Sequence, residues 1–331
     1  MHFKRKNKSK SKVKYELACS EGYCPTLEEI ENSEIKQLAN RLKALSDKET
    51  LTNVLEWQDR NIVFWFERYP LSHILLVSIV FFAVSLPILL FLRLWWLVAI
   101  LGTIPVMTLA IMMLIFHYVR KTSLKELWKV LNLNNPINWI LENRLGVCRD
   151  YAKLTAGLLS TIYPDAELYF AHGPSHVATG TMIENKLYIL DKQLPVVTID
   201  KWHERWHNRR HPDIRIERVK GQCLESVNLN SLLSETDTTE LNTEKLATEM
   251  TRLLNIKESE DGDSEVSLLE LLRWKRGAVL YEDNEIVNYS LARRLKMKIS
   301  GEMLELNQAT KIEIDRDKGD LIFRVIFKSN L

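Results

Sequence analysis

Between Leu71 and Val119 the chain is almost uninterruptedly apolar. The only side chains there that can carry charge near neutral pH are His73, Arg93 and His117. The run is too long for one membrane span and suits two helices of roughly 20 residues each. Its break falls at Leu92-Arg93-Leu94-Trp95-Trp96. There an arginine able to snorkel stands beside two indoles that favour a bilayer interface. Pro87 and Pro105 lie inside the two halves, where neighbouring helices tolerate kinks. A buried hairpin of a soluble protein is disfavoured, because so long a run offers almost no polar face to water.

The flanks change period. From Thr26 to Glu67 the pattern is helical, with a stripe of Ile30, Ile35, Leu38, Leu42 and Leu45. Ser46-Asp47-Lys48-Glu49 reads as a capping box that opens a second helix over Thr50 to Glu67, carrying Val54, Trp57, Ile62 and Trp65. After the apolar run, Ser123 to Leu133 reads as helix, and Asn135-Pro136 starts another short one. Ala152, Ala156, Leu158, Leu159 and Ile162 mark a buried helix that ends before Pro164-Asp165. Two strand-like runs follow, Val177 to Ile183 and Lys186 to Leu190, joined by Glu184-Asn185. Asn tolerates the positive φ of a two-residue hairpin turn. Further on, Ser226 to Glu240 reads as a polar linker, Thr243 to Leu254 as an amphipathic helix and Glu258 to Glu265 as an acidic loop. Ile286 to Leu295 fits another helix. Thr310 to Asp315 and Leu321 to Lys328 alternate around Asp317-Lys318-Gly319 as a hairpin.

The 331 residues carry a formal net charge of +2, too even to suggest nucleic acid as a partner. Seven cations and no acid stand in residues 1 to 14. They suit a solvated disordered tail or, more sharply, contact with anionic lipid. Arg60 and Arg68 precede the apolar run, and Arg120, Lys121 and Lys125 follow it, whereas its break holds only Arg93. The positive-inside rule then puts both termini in the cytoplasm, with two spans in the cell membrane. Cys19, Cys24, Cys148 and Cys223 show no framework spacing, which suits a reducing compartment.

Cys148, His176 and Asp191 are the candidate chemical groups. Cys148 falls at the first turn of the buried helix, near unpaired backbone N–H groups and the positive end of the dipole. That setting favours the thiolate and offers donors to an oxyanion. Asp150 reads as a first-turn carboxylate that steadies the helix start. If the hairpin register pairs Ile183 with Lys186 and Thr181 with Tyr188, then Ala178 faces Asp191. His176 and Asp191 then share one face as diagonal neighbours, roughly 7–8 Å apart. A slip by one residue would send them to opposite faces.

Gly146-Val147-Cys148-Arg149-Asp150-Tyr151-Ala152, then a strand opened by His176 and a strand closed by Asp191, resembles the transglutaminase-like superfamily over roughly Leu124 to Trp202. That family often has His-Ala-Trp at the base and Asp-Pro after the acid. Here the residues are His176-Val177-Ala178 and Asp191-Lys192-Gln193-Leu194-Pro195. The resemblance implies an α+β, papain-like fold and a Cys148-His176-Asp191 triad working on an amide through a thioester. The outcome would be transamidation, deamidation or peptide hydrolysis, on a protein or peptide substrate and without a cofactor. Some members have lost activity, so an inactive membrane scaffold is the alternative outside catalysis. The expected organisation is a basic tail over 1–25, a cytoplasmic helical region over 26–69 and a transmembrane hairpin over 70–119. A catalytic domain over 120–220 and a linker with a small α+β module over 221–331 complete it.

Two features compete. His203-Glu204-Arg205-Trp206-His207 is a literal H-E-x-x-H, the pattern of a zinc protease, for which Glu225 could add a ligand. Arg205, Arg209 and Arg210 oppose a dication there, and Ile199, Trp202 and Trp206 form one apolar face suited to packing on the domain. His172, in a turn-like stretch, is the second candidate base. For the oxyanion, Asn138, Trp139 and Asn143 lie upstream of the thiol, with no basis for choosing among them.

Overall fold

The computed structural model describes residues 22–65, 68–115, 135–207, 214–220, 223–233, 239–256, 267–275, 277–302 and 309–327. The basic tail, the Ser123 to Leu133 stretch and the acidic Glu258 to Glu265 segment lie outside the described residues. Ten helices and two antiparallel sheets among them make a mixed α/β fold.

Three helices come first: α1 (Leu27–Glu31), α2 (Ser33–Leu42) and α3 (Asp47–Asn61). Thr26 and Glu29 close a reciprocal capping box on α1, with Glu29 N donating to Thr26 Oγ1 at 3.2 Å and Thr26 N to Glu29 Oε2 at 2.7 Å. The helical stripe stops at Leu42, and Leu45 is fully exposed. The second helix also stops early, at Asn61 rather than Glu67. Its end is set from outside: the Tyr151 hydroxyl donates to the Ile62 carbonyl at 2.6 Å. Val63–Phe64 (β1) then pairs in parallel with Leu145–Gly146 (β2). Trp65 N donates to Gly146 O at 2.8 Å, so Trp65 lies on an extended segment and not on a helix.

The apolar run forms α4 (Arg68–Phe91) and α5 (Trp95–Leu114), packed together and broken at Arg93, which takes a φ of 55°. Ile74–Phe91 and Trp95–Leu114 are long and apolar enough to cross a membrane. Their surfaces present Phe81, Phe91, Trp95 and Trp96 outward, a pattern costly in water and natural in lipid.

Past the hairpin come α6 (Ile137–Asn143), β2 and α7 (Cys148–Ile162). Helix α7 is the hub. Thirteen of its 15 residues are buried, against α1, α2, α3 and α6 and the sheet. Gln58 of α3 and Thr155 of α7 exchange hydrogen bonds at 2.8 and 3.2 Å in the interior. The sheet holds β3 (Leu168–Gly173), β4 (His176–Ile183), β5 (Lys186–Leu190), β6 (Val197–Thr198), β7 (Arg215–Lys220) and β8 (Cys223–Val227) in the order β6-β5-β4-β3-β7-β8. Helix α8 (Ile199–His207) follows β6. The stretch expected as linker from Ser226 thus begins inside the edge strand β8, which pairs with β7.

The turn at Glu184-Asn185 has positive φ at both residues, 49° and 62°, as a two-residue hairpin with primed geometry requires. The register is the expected one: Ile183 faces Lys186, Thr181 faces Tyr188 and Thr179 faces Leu190.

The C-terminal part comprises α9 (Thr243–Leu254), β9 (Ser267–Trp274), α10 (Glu285–Glu302), β10 (Ala309–Asp317) and β11 (Asp320–Phe327), with sheet order β10-β11-β9. It docks on α3 through α10. Arg293 pairs with Glu56 and Arg294 with Asp59, and Ser290 Oγ accepts from Val196 N at 3.1 Å.

Candidate active site

The Cys148 position is built from the helix start outward. Val147 is the N-cap, its backbone N–H donating to Asp150 Oδ2 at 2.9 Å. Asp150 is fully buried, so it is a structural carboxylate of the first turn. Cys148 follows as the first helical residue, where the helix itself supplies no acceptor for the early amides. Thr179 Oγ1 of β4 donates to the Ala152 carbonyl at 2.7 Å and pins the helix start to the sheet.

His176 arrives from the other side. The β3–β4 turn passes through Ser175 at a φ of 54°, and the Ser175 carbonyl oxygen lies 3.9 Å from Cys148 Sγ. The next residue is His176. Its Nε2 donates to both carboxylate oxygens of Asp191, at 2.9 Å to Oδ2 and 3.0 Å to Oδ1. Nε2 is therefore engaged by the acid, and Nδ1 is the ring atom left for the thiol.

The electrostatics agree with that arrangement. Burial pushes the His176 imidazole toward neutrality. Hydrogen bonds to Asp191 and Cys148 and the charges of both groups overcome it and hold the imidazole up to about 9. For Asp191, burial opposes ionisation. The His176 hydrogen bond and charge, the Lys192 backbone N–H and the Arg205 charge outweigh it and keep the carboxyl below its ordinary range. The structure thus brings Cys148, His176 and Asp191 together with the imidazole carrying a proton near neutral pH.

Trp206 of α8 covers the imidazole, its ring centroid 5.4 Å away. Gly173 permits this, since a Cβ there would fall 3.1 Å from the indole. Trp202 is completely buried, so the apolar face of α8 packs on the domain. Glu204 pairs with Lys201 at 2.8 Å, and Glu225 pairs with Arg218 and Lys220 on the far edge of the sheet. Among the described residues no three His, Cys, Asp or Glu side chains gather as metal ligands. The His207 side chain lies outside the described residues.

His172 is on β3 and not in a loop. Its Nε2 lies 2.9 Å from Glu217 Oε2, which also accepts from the Tyr23 hydroxyl at 2.8 Å. Among the upstream candidates for an oxyanion donor, Asn143 Nδ2 donates to Trp139 O at 3.0 Å. Asn138 Oδ1 accepts from Trp139 N at 2.9 Å. Trp139 is buried and stacks on Trp65. Both asparagines thus serve α6 locally.

Sequence reasoning did not assign Lys192, Arg205, Tyr281 and Arg294 to the surroundings of the His–Asp pair, yet all four border a cavity there. The one signal available was the cationic character of α8, which weighed against a dication but did not say what it favoured.

Known proteins add an independent line. A UPF0252 protein of Methanocaldococcus jannaschii is 26% identical over 334 residues, covering 88% of this chain and 92% of that one. A UPF0252 protein of Pyrococcus horikoshii is 45% identical over 62 residues, 17% of this chain and 20% of that one. No solved structure matches the chain. A family model described as a transglutaminase-like domain matches residues 33–219, more than half of the chain and including α2, α3 and the apolar hairpin. The chain therefore belongs to the transglutaminase-like domain family.

Proposed function

We propose that this protein is a membrane-anchored cysteine enzyme of papain-like type that acts on amide bonds of a protein or peptide. The observation that carries the reading is the two-point bond from His176 to Asp191 beside a thiol on a helix start. The Cys148 thiolate adds to the carbonyl carbon, and the first-turn amides of α7 face the developing oxyanion. As the C–N bond breaks, the imidazolium of His176 hands its proton to the leaving amine, and a Cys148 thioester forms. Water or a second amine then gives its proton to His176 and attacks the thioester, releasing acid or a new amide and the thiol. Asp191 holds the ring and its charge throughout.

The membrane placement has support beyond the apolar helices. Residues before the hairpin and residues after it share one buried core, in which Leu51 and Val54 of α3 and Leu154 and Leu158 of α7 take part. Both flanks of the hairpin must then lie on the same side of a bilayer, which agrees with two spans. The flanking cations favour the cytoplasm as that side, where the basic tail can meet anionic lipid.

Iodoacetamide and mass spectrometry on the full chain in detergent test the reading. The expected result is alkylation of Cys148 well ahead of Cys19, Cys24 and Cys223. Equal labelling of all four would leave the inactive scaffold as the better reading. Stoichiometric zinc lost on His203→Ala would instead favour the metalloprotease. A reporter fused to the C-terminus is expected inside the cell, and its appearance outside would reverse the topology.

A further inference from the structure

A cavity of about 570 Å³ adjoins the His176–Asp191 pair. The loop from Lys192 to Pro195 forms one wall, Arg205 and Trp206 of α8 another, and Trp274, Tyr281 and Arg294 of the C-terminal part face them. The lining is about half polar and half apolar, with Trp206, Trp274 and Tyr281 among its apolar surfaces, and three cations look in. Two of those cations are occupied. Arg294 pairs with Asp59, and the Lys192 ammonium sits 4.4 Å from the centre of the Phe64 ring. The acid in the lining, Asp191, is held by His176.

Arg205 differs from the other two. Its charge acts on nearby Asp191, but among the described residues no carboxylate meets it in ion-pair contact, and its buried Nε donates to no acceptor. A buried donor left unmade is costly, and a guanidinium fork matches a carboxylate in two-point contact. We propose that Arg205 is the anion-recognition residue of a substrate pocket beside His176, and that the amide taken by this enzyme carries a carboxylate close to the reacting bond. The carboxylate is either an acidic side chain or a chain end, and the apolar surfaces of the lining accept the stem that bears it. The substrate assignment rests on the proposed role of Cys148, but the pocket does not. The C-terminal part then acts as the far wall of the substrate site, and the H-E-x-x-H stretch contributes its arginine and tryptophan rather than its histidines.

Calorimetric binding to the full chain in detergent tests this with three compounds. N-acetylglutamine carries only an α-carboxylate, N-acetylglutamate α-amide only a side-chain carboxylate, and N-acetylglutaminamide neither. One of the two anions is expected to bind on the order of tenfold tighter than the neutral compound, and which one identifies the source. Arg205→Gln should erase that preference and Arg205→Lys should keep part of it. Three equal affinities, or a preference that survives Arg205→Gln, would overturn the proposal. Should Arg205→Gln fail to fold, the ranking of the three compounds on the wild-type chain decides. Selective Cys148 labelling without any anion preference would sink the pocket and leave the nucleophile. A preference kept in a protein whose Cys148 is unreactive would do the reverse.

Discussion

His176→Ala is expected to slow alkylation of Cys148 at pH 6 by roughly 100-fold, with no comparable change at Cys24. The magnitude follows from the charge state. A thiol of ordinary pKa, about 8.5, is only ~0.3% thiolate at pH 6, whereas a thiol paired with an imidazolium is largely ionised there. The lower nucleophilicity of a stabilised thiolate takes back part of that factor. Asp191→Asn should give an intermediate rate, because the carboxylate is what makes the imidazolium favourable in a buried place. The same coupling fixes a direction in stability. The folded-state pKa of His176, about 9, lies above the ordinary 6.5. Its contribution, at most roughly 3 kcal/mol, is fully present below pH 6.5 and is lost as pH rises through 9. Nuclear magnetic resonance titration of the ring should give a midpoint near 9, falling in Asp191→Asn. A midpoint near 6.5 in the intact protein would contradict the ion-pair account.

Glu29→Ala is expected to destabilise the fold by about 3–5 kcal/mol, the usual cost of stranding a buried charge. Lys153 on α7 is 1% exposed, and its ammonium meets Glu29 Oε1 at 2.8 Å and the Asn135 carbonyl at 3.2 Å. Glu29 also accepts from Ile137 N at 3.0 Å and from Thr26 N. One carboxylate thus ties α1, α6 and the helix that bears Cys148. Lys153→Met should cost much less, because Glu29 keeps its two backbone donors and some exposure. The double variant should recover most of the loss suffered by Glu29→Ala. Urea midpoints of the three variants check the ordering, and a mild Glu29→Ala would mean the pair is replaceable by solvent.

What could be read in the sequence was whatever is local. The hairpin register followed from a two-residue turn at Glu184-Asn185, and the helix starts at Ser46 and Cys148 followed from short capping or dipole patterns. The failures were non-local. Strand β1 is two residues long and finds its partner 82 positions away, at Leu145, so no periodicity could mark it. Without that partner, Ile62 and Trp65 naturally extend a helical stripe. Strand β9 was missed because Leu268, Leu269, Leu271 and Leu272 do not alternate with polar residues; β9 pairs with β11 in the sheet. Arg205 was visible, but its meaning depends on Trp274 and Tyr281, which reach it from some 70 residues downstream.

The β1–β2 pairing has a consequence for biosynthesis. Val63 must wait for Leu145, and Gln58 for Thr155, so the chain between them, both apolar helices included, has to be made before the helix that bears Cys148 can be seated. A ribosome-bound chain with only the first apolar helix emerged has neither Cys148 nor its support. The seat of Cys148 is therefore completed only after both apolar helices have been made, so on the proposed membrane reading the hairpin is available to a bilayer before the site is assembled.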